Sequence, residues 1–202
     1  MARDDLTTTS FAVLSLLAVR PWTTYELAKQ MDRSVGRMFP RAESVVYEEP
    51  KRLVRRGLAT AEKEYTGKRA STVYSITEAG RAALAEWLDE PGAMPSTEFE
   101  ALLKVAFADQ GSLEGLRANL AAIRTHAAAE VEYSEMRLRE YEETGGPFPD
   151  RLPVISLAAR YFHEQALATL RWVTWAEEAT HAWDGVSVAD GAQVAPDAFR
   201  PS

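Results

Sequence analysis

Thr72-Val-Tyr-Ser-Ile-Thr-Glu-Ala-Gly-Arg81 is the stretch from which the fold can be read. A β-branched and aromatic run feeds directly into a Thr-capped helix, and a basic turn, Thr66-Gly-Lys-Arg69, lies just upstream. Residues 58–65 and 71–76 therefore read as two strands joined by a glycine-containing turn. Thr77 can accept from the free N–H groups that open the next helix. That helix carries Leu84, Trp87 and Leu88 on its expected inner side.

Working outward toward the N-terminus, Thr9-Ser10 precede Phe11-Ala-Val-Leu-Ser-Leu-Leu-Ala-Val19, a first helix apolar on most sides and so expected to be buried. Arg20-Pro21-Trp22 ends it. Thr23-Thr-Tyr-Glu26 has the capping-box spacing and opens a second helix, made amphipathic by Tyr25, Leu27, Ala28 and Met31. A third helix is expected from about Ala42 to Arg56, stopped by Gly57. Its apolar stripe is Val46, Pro50, Leu53 and Val54; at about 100° per residue, Ser44, Glu48, Lys51 and Arg55 fall opposite. Three helices, a two-stranded wing and a linking helix predict a winged helix-turn-helix over residues 1–90.

Charge is distributed to match. The 202-residue chain has a net charge of −7, but residues 1–90 carry 14 Lys/Arg against 13 Asp/Glu and residues 91–202 carry 9 against 17. Within 33–69 there are 10 basic and 5 acidic side chains. Attraction to a polyanion follows the local patch rather than the whole-chain sum, so the basic density lies where a winged helix would use it. Cysteine is absent, which excludes disulfides and thiolate metal sites and fits a reducing, cytoplasmic setting. The start, Met-Ala-Arg-Asp-Asp, carries acids and no long apolar region, which predicts no signal peptide, and no window reads as a membrane span.

The rest of the chain predicts a mostly α protein. Pro91-Gly-Ala-Met-Pro95 marks a linker, placed at 91–96. Thr97-Glu-Phe-Glu100 repeats the capping-box spacing and opens a helix to about Ala108, and Gly111-Ser112 restarts the chain into a long helix to about Glu143. Along that helix Leu113, Leu116, Leu120, Ile123, Ala127, Val131, Ser134, Leu138 and Tyr141 recur in three- and four-residue steps, a seam suited to helix–helix packing. After Gly145-Gly-Pro-Phe-Pro149, a last helix is expected from about Pro153 to Trp183, with Leu157, Tyr161, Ala168, Trp172, Trp175 and Trp183 near one face. Residues 97–183 thus read as a long-helix dimerisation and effector domain, and 184–202, poor in large apolar residues, as a mobile tail. No internal repeat is present.

Catalytic patterns are missing. There is no G-x-S-x-G, P-loop, G-x-G-x-x-G or H-E-x-x-H, and Leu167 stands where a second zinc histidine would follow His163-Glu164. His163 and His181 share a helix face but are separated by roughly 27 Å of helix rise, too far to bind one metal. The chain is expected to be neither an enzyme nor a cofactor or metal protein.

Binding chemistry is present. In a winged helix the third helix enters the major groove and the wing reaches the minor groove or phosphates of double-stranded DNA. Ser44, Tyr47, Glu48, Lys51 and Arg55 are the candidate contacts on the reading helix, and Lys68 and Arg69 those at the wing tip. Thr24 and Tyr25 open the second helix, whose N–H groups favour a phosphate. Structural roles compete: Tyr47 as a packing residue, Thr24 as a cap, Arg52 and Arg56 as partners of Glu48 and other acids. In the C-terminal part, Tyr161, Trp172 and Trp175 are candidates for an effector pocket, against the alternative that they are packed core.

Phe11-Ala-Val-Leu-Ser-Leu-Leu17, Thr24-Tyr-Glu-Leu27, Ser44…Tyr47, Arg52-Leu53…Gly57-Leu58 and Val73-Tyr-Ser-Ile-Thr-Glu-Ala-Gly80 together resemble the PadR family of transcriptional regulators. The resemblance is close over residues 6–90, and the later helices look like the family's longer C-terminal domain. It implies a homodimeric repressor whose C-terminal helices embrace the partner subunit. It also implies binding to a palindromic operator and release by a small, often aromatic, effector. Two positions depart from the family pattern. Pro50 replaces the usual leucine of the third helix, so that helix is expected either to kink there or to begin near it, leaving Ser44 and Tyr47 in a preceding turn. The wing turn lacks the family's proline, and Glu43, Glu48 and Glu49 dilute the charge of the reading helix. A winged module that binds protein or small molecules, with weak or lost DNA binding, is the alternative reading.

Overall fold

The computed structural model describes residues 6–36, 38, 43–66, 69–96 and 98–200; the side chains at 34, 35, 43–46, 66 and 69 lie outside the description. The chain divides into two compact units, residues 1–95 and 96–202.

In the first unit, α1 (Thr8–Val19) is opened by Thr7, which forms a capping box with Ser10. β1 (Trp22–Thr23) leads into α2 (Thr24–Gln30), which continues as a π-helical turn over Met31–Val35. Then follow α3 (Glu43–Arg55), the wing strands β2 (Ala59–Thr66) and β3 (Arg69–Ile76), and α4 (Glu78–Leu88). The sheet has three antiparallel strands in the order β1-β3-β2, because Trp22 pairs with Tyr74 and Thr23 with Val73. The two-residue β1 adds to the expected two-stranded wing. β2 and β3 pair in register from Ala59↔Ile76 to Thr66↔Arg69.

The core of this unit follows the apolar pattern. Val13, Leu14, Leu16 and Leu17 of α1 are buried with Leu27, Leu53 and Leu58, and Phe11 stacks on Trp87 at 4.7 Å between ring centroids. Trp22 Nε1 donates to the Leu16 carbonyl at 2.7 Å. Leu88, expected on the inner side of α4, is instead exposed; the helix buries Gly80 and Leu84 and turns Trp87 inward onto Phe11.

Two joints set the position of α3. At its C-terminus Gly57 has φ +72°, and two bonds close the end, Gly57 N–H to Val54 O and Leu58 N–H to Leu53 O. Thr77 then ties this end to α4: its hydroxyl donates to Gly57 O at 2.7 Å, its N–H donates to Leu58 O, and its Oγ1 caps α4 at Gly80 N–H. Pro50 neither terminates nor begins the helix, which starts at Glu43. A proline within a helix costs about 3 kcal/mol or more. Here the ring is among the most deeply buried side chains, so apolar burial offsets part of that cost.

In the second unit, α5 (Glu100–Ala106) starts at Phe99 without a side-chain cap. The capping box expected from Thr97 to Glu100 does not fit this start; Thr97 is outside the described residues, and Glu100 pairs with Lys104 at 2.7 Å. A 3-10 turn, Ala108–Gln110, precedes α6 (Leu113–Thr144), capped by Ser112. A second 3-10 turn, Pro149–Arg151, leads to α7 (Leu152–Thr180). The seam of α6 is the expected one: Leu116, Leu120, Ile123, Ala127 and Ser134 are buried, and Leu113, Val131, Leu138 and Tyr141 are half-buried.

The matching face of α7 is the expected one only in part: Trp172, Trp175 and, just past the helix end, Trp183 are half-buried against the core. Ala166, Val173, Ala176 and Thr180 are buried, whereas Leu157, Tyr161 and Ala168 are not. Small side chains let two helix backbones approach closely, so the centre of the contact is marked by alanines and the tryptophans pack beside it. Arg117 of α6 fastens the far end, donating to the carbonyls of Thr180, His181 and Trp183 that α7 leaves open. Residues 184–200, expected to be a tail, hold a 3-10 turn (Val188–Asp190) and return to α7, where Trp175 Nε1 donates to Asp197.

Candidate nucleic-acid interface

The N-terminus of α2 is built as its spacing requires. Thr23 Oγ1 accepts from Glu26 N–H at 3.2 Å while Glu26 Oε2 accepts from Thr23 N–H at 2.9 Å. The Thr23 N–H, followed by the Thr23 hydroxyl, holds the Glu26 carboxyl below its usual range, and Arg20 adds to this at 3.0 Å. The cap is therefore fully formed at neutral pH and weakens as pH falls through that lowered value. Thr23 is the cap, which leaves Thr24 free of that role. Thr24 and Tyr25 line an open hollow of about 680 Å³ with Thr23, and Ala70, Ser71 and Thr72 of β3 form its other wall. Tyr25 is 67% exposed.

The outer face of α3 is the expected one where it is described. Glu48, Lys51 and Arg55 are exposed, Tyr47 is half-buried, and Glu49, Pro50 and Leu53 are buried. Ser44 lies inside α3, not in a preceding turn, but its side chain is outside the described residues, as is that of Arg69. Lys68 lies outside them altogether. Lys51 Nζ donates to Glu48 Oε1 at 2.6 Å, and this contact holds the Glu48 carboxyl low and raises the Lys51 ammonium. Glu48 therefore neutralises one cation of the face.

Glu49 does not dilute that face. It points inward, 5% exposed, accepting from the Ser10 hydroxyl at 2.6 Å and from Arg52 at 3.4 Å. Arg52 is thus paired with Glu49. The signal is in the spacing: Glu49 follows Val46 by three residues and precedes Leu53 by four, which puts it on the apolar stripe.

The effector candidates do not form one cluster. Tyr161 is 48% exposed and meets Phe162 edge-on, whereas Trp172 and Trp175 pack against the Leu116–Ile123–Val173 core. Tyr161 and Trp175 lie on α7 at a separation of about 21 Å of helix rise, more than one small aromatic molecule spans. A polar pair that the sequence reading does not single out sits in the seam. Ser134 Oγ lies 2.9 Å from His163 Nδ1 and 2.8 Å from Val131 O. With the hydroxyl proton on Val131 O, His163 Nδ1–H is the donor of the other bond. Among the described residues no group of His, Asp and Glu is arranged to hold a metal, and no helix is long and apolar enough to cross a membrane.

This geometry has known counterparts. The PadR-like transcriptional regulator family matches residues 13–86, and the C-terminal domain of the virulence activator alpha family matches residues 99–181. The N-terminal unit belongs to the PadR-like family of transcriptional regulators. No curated protein matches it in sequence. Among solved structures, Bacillus subtilis PadR in complex with operator DNA is similar with a TM-score of 0.73 at 18% identity, covering 83% of this chain and 96% of that one. The same protein in complex with p-coumaric acid gives 0.67 at 18%, covering 82% and 94%. The Vibrio cholerae virulence activator AphA gives 0.62 at 27%, covering 85% and 95%. This PadR-like chain is accordingly a DNA-binding transcriptional regulator and not an enzyme. Its winged unit coincides with the first match and its long-helix unit with the second.

Proposed function

We propose that this PadR-like regulator is a homodimeric repressor that binds a palindromic operator and leaves it when a small aromatic effector binds. The observation that carries the DNA part is the exposed face of α3, where Glu48, Lys51 and Arg55 stand opposite a buried Glu49–Pro50–Leu53 face. On this reading α3 enters the major groove. Lys51 and Arg55 meet phosphates, Ser44 and Tyr47 reach the same groove, and Lys68 and Arg69 of the wing reach the flanking backbone. Thr24 and Tyr25 stand where a further phosphate would pass. Operator binding by Bacillus subtilis PadR supports the reading.

The dimer is supported by apolar surface that the two long helices leave uncovered. Val154, Leu157 and Tyr161 are 59%, 72% and 48% exposed along one stripe of α7, and Leu103 and Phe107 at the end of α5 are 59% and 62% exposed. Exposed apolar patches of this kind mark association sites. A two-fold partner would cover it and hold two wings at the spacing of two half-sites. Light scattering on the purified protein is expected to give twice the 22.4 kDa chain mass; a monomer at micromolar concentration would remove this part of the reading.

The p-coumaric acid complex of Bacillus subtilis PadR supports an aromatic effector. Trp172 and Trp175 are the proposed contacts, with Tyr161 assigned to the surface stripe. The direction of regulation is read from transcription of a bound promoter, which falls for a repressor and rises for an activator such as AphA's name describes.

Replacing both Lys51 and Arg55 with alanine tests the interface. Removal of one phosphate-binding cation reduces the slope of log affinity against log salt by about 0.9. The double variant is expected to bind operator roughly 10- to 100-fold more weakly at low salt, with a slope flatter by about 2. Unchanged affinity at two salt concentrations would move the interface away from α3.

A further inference from the structure

The family match ends at residue 181, yet the chain continues into a folded segment, 184–200, that returns to α7. Its sequence is built for that path. A Cβ at Gly185 would lie 2.3 Å from the Asp190 Cβ, and Gly191 has φ +94°, so both positions require glycine. Ser187 caps the turn through Asp190 N–H, and Ala192 is buried with its N–H bonded to Ser187 O. Trp183 and Val186 pack against the same core as Trp172 and Trp175. The segment then places Asp197 so that both carboxylate oxygens lie 3.1 Å from Trp175 Nε1.

A half-buried aromatic with its single N–H donor turned to a carboxylate is the arrangement an aromatic acid would itself make, with the ring against the indole-lined surface and the carboxylate on Nε1. We propose that residues 184–200 are a strap that holds Asp197 as a built-in stand-in for a carboxylate ligand at Trp175. An aromatic acid and the strap compete for that donor, and the strap sets how much ligand the protein needs. This rests on the effector reading above and adds the element that regulates access of the ligand. The contact is at the surface and involves one donor, so the competition is graded rather than all-or-none.

The test uses the full chain and the variants Asp197→Ala and Trp175→Phe. Acrylamide quenching of tryptophan fluorescence reports the strap without any ligand. It is expected to rise in Asp197→Ala, and this rise is expected to vanish when Trp175→Phe is added. Calorimetric titration with benzoate and cinnamate reports the competition, with benzamide and cinnamamide as neutral controls. Asp197→Ala is expected to bind the acids about three- to tenfold more tightly than the parent, as loss of one exposed charge-assisted bond implies, with no such change for the amides. Equal quenching in parent and Asp197→Ala overturns the strap. Acid affinities that are equal in the two proteins, or binding by neither, overturn the competition. The effector reading is judged separately, by release of bound operator DNA. If acids release DNA from parent and Asp197→Ala at the same concentration, that reading stands and the strap falls.

Discussion

Replacing Gly80 with alanine is expected to destabilise the winged unit by about 2–4 kcal/mol, although alanine normally favours a helix by about 1 kcal/mol over glycine. The sign is set by space. A Cβ at residue 80 would lie 2.1 Å from the Leu58 carbonyl oxygen and 2.9 Å from Ile76 Cγ1. That oxygen cannot swing aside, because it accepts the Thr77 N–H in the joint that carries α3, β2 and α4. Thermal unfolding followed by circular dichroism reads the effect. For a unit of 95 residues the midpoint should fall by roughly 10–25 °C. A midpoint that is unchanged or higher would show that α4 does not approach Leu58 as described.

The second large effect concerns Glu49. Its carboxylate joins α1 to the reading helix through Ser10 and is balanced by Arg52, whose side chain is 31% exposed. Truncation to alanine leaves the fully buried Ser10 hydroxyl without that acceptor and removes one carboxylate partner of Arg52. Removing one member of a buried pair costs roughly 3–5 kcal/mol, and the partial exposure of Arg52 lowers the expected loss to about 2–3 kcal/mol. Glu48, one residue earlier and exposed, is the internal comparison: Glu48→Ala should leave the urea midpoint nearly where it is in the parent. Urea unfolding separates the two. Equal losses in the two variants would mean that Glu49 is not the link between α1 and α3. Glu49→Gln, which keeps an acceptor for Ser10, should recover part of the loss.

These positions show what the sequence carries and what it hides. Thr23 with Glu26, and Thr77 before α4, are legible because capping chemistry is fixed by local spacing. The α6 seam is legible because large apolar residues mark the buried face of that helix. On α7 the same logic holds only in part: Trp172, Trp175 and, just past the helix end, Trp183 pack against the core, whereas Leu157, Tyr161 and Ala168 do not. The face against α6 is made of Ala166, Ala176 and Thr180 around Val173, and its periodicity is hidden by the larger residues on other faces. Glu49 reads by charge as a surface acid, although its register places it between Val46 and Leu53. β1 is two residues long and exists only because β3 offers it an edge, a long-range pairing that no local pattern contains. Gly80 belongs to a legible motif, but the reason for glycine there, the approach of Leu58, lies 22 residues away in the chain. At the interface, helical phase alone separates Glu48, Lys51 and Arg55 from the core. The separate fates of Tyr161 and Trp175 depend on what α6 and the C-terminal segment cover.

The most direct measurement is fluorescence anisotropy of the purified protein on labelled DNA from upstream of its own gene, at several salt concentrations and with scrambled competitor. Binding that resists the competitor and weakens with salt, with a log–log slope of about −0.9 per phosphate neutralised, is the expected result. Binding with no preference over the scrambled sequence and no salt slope would contradict a sequence-specific interface on α3 and the wing.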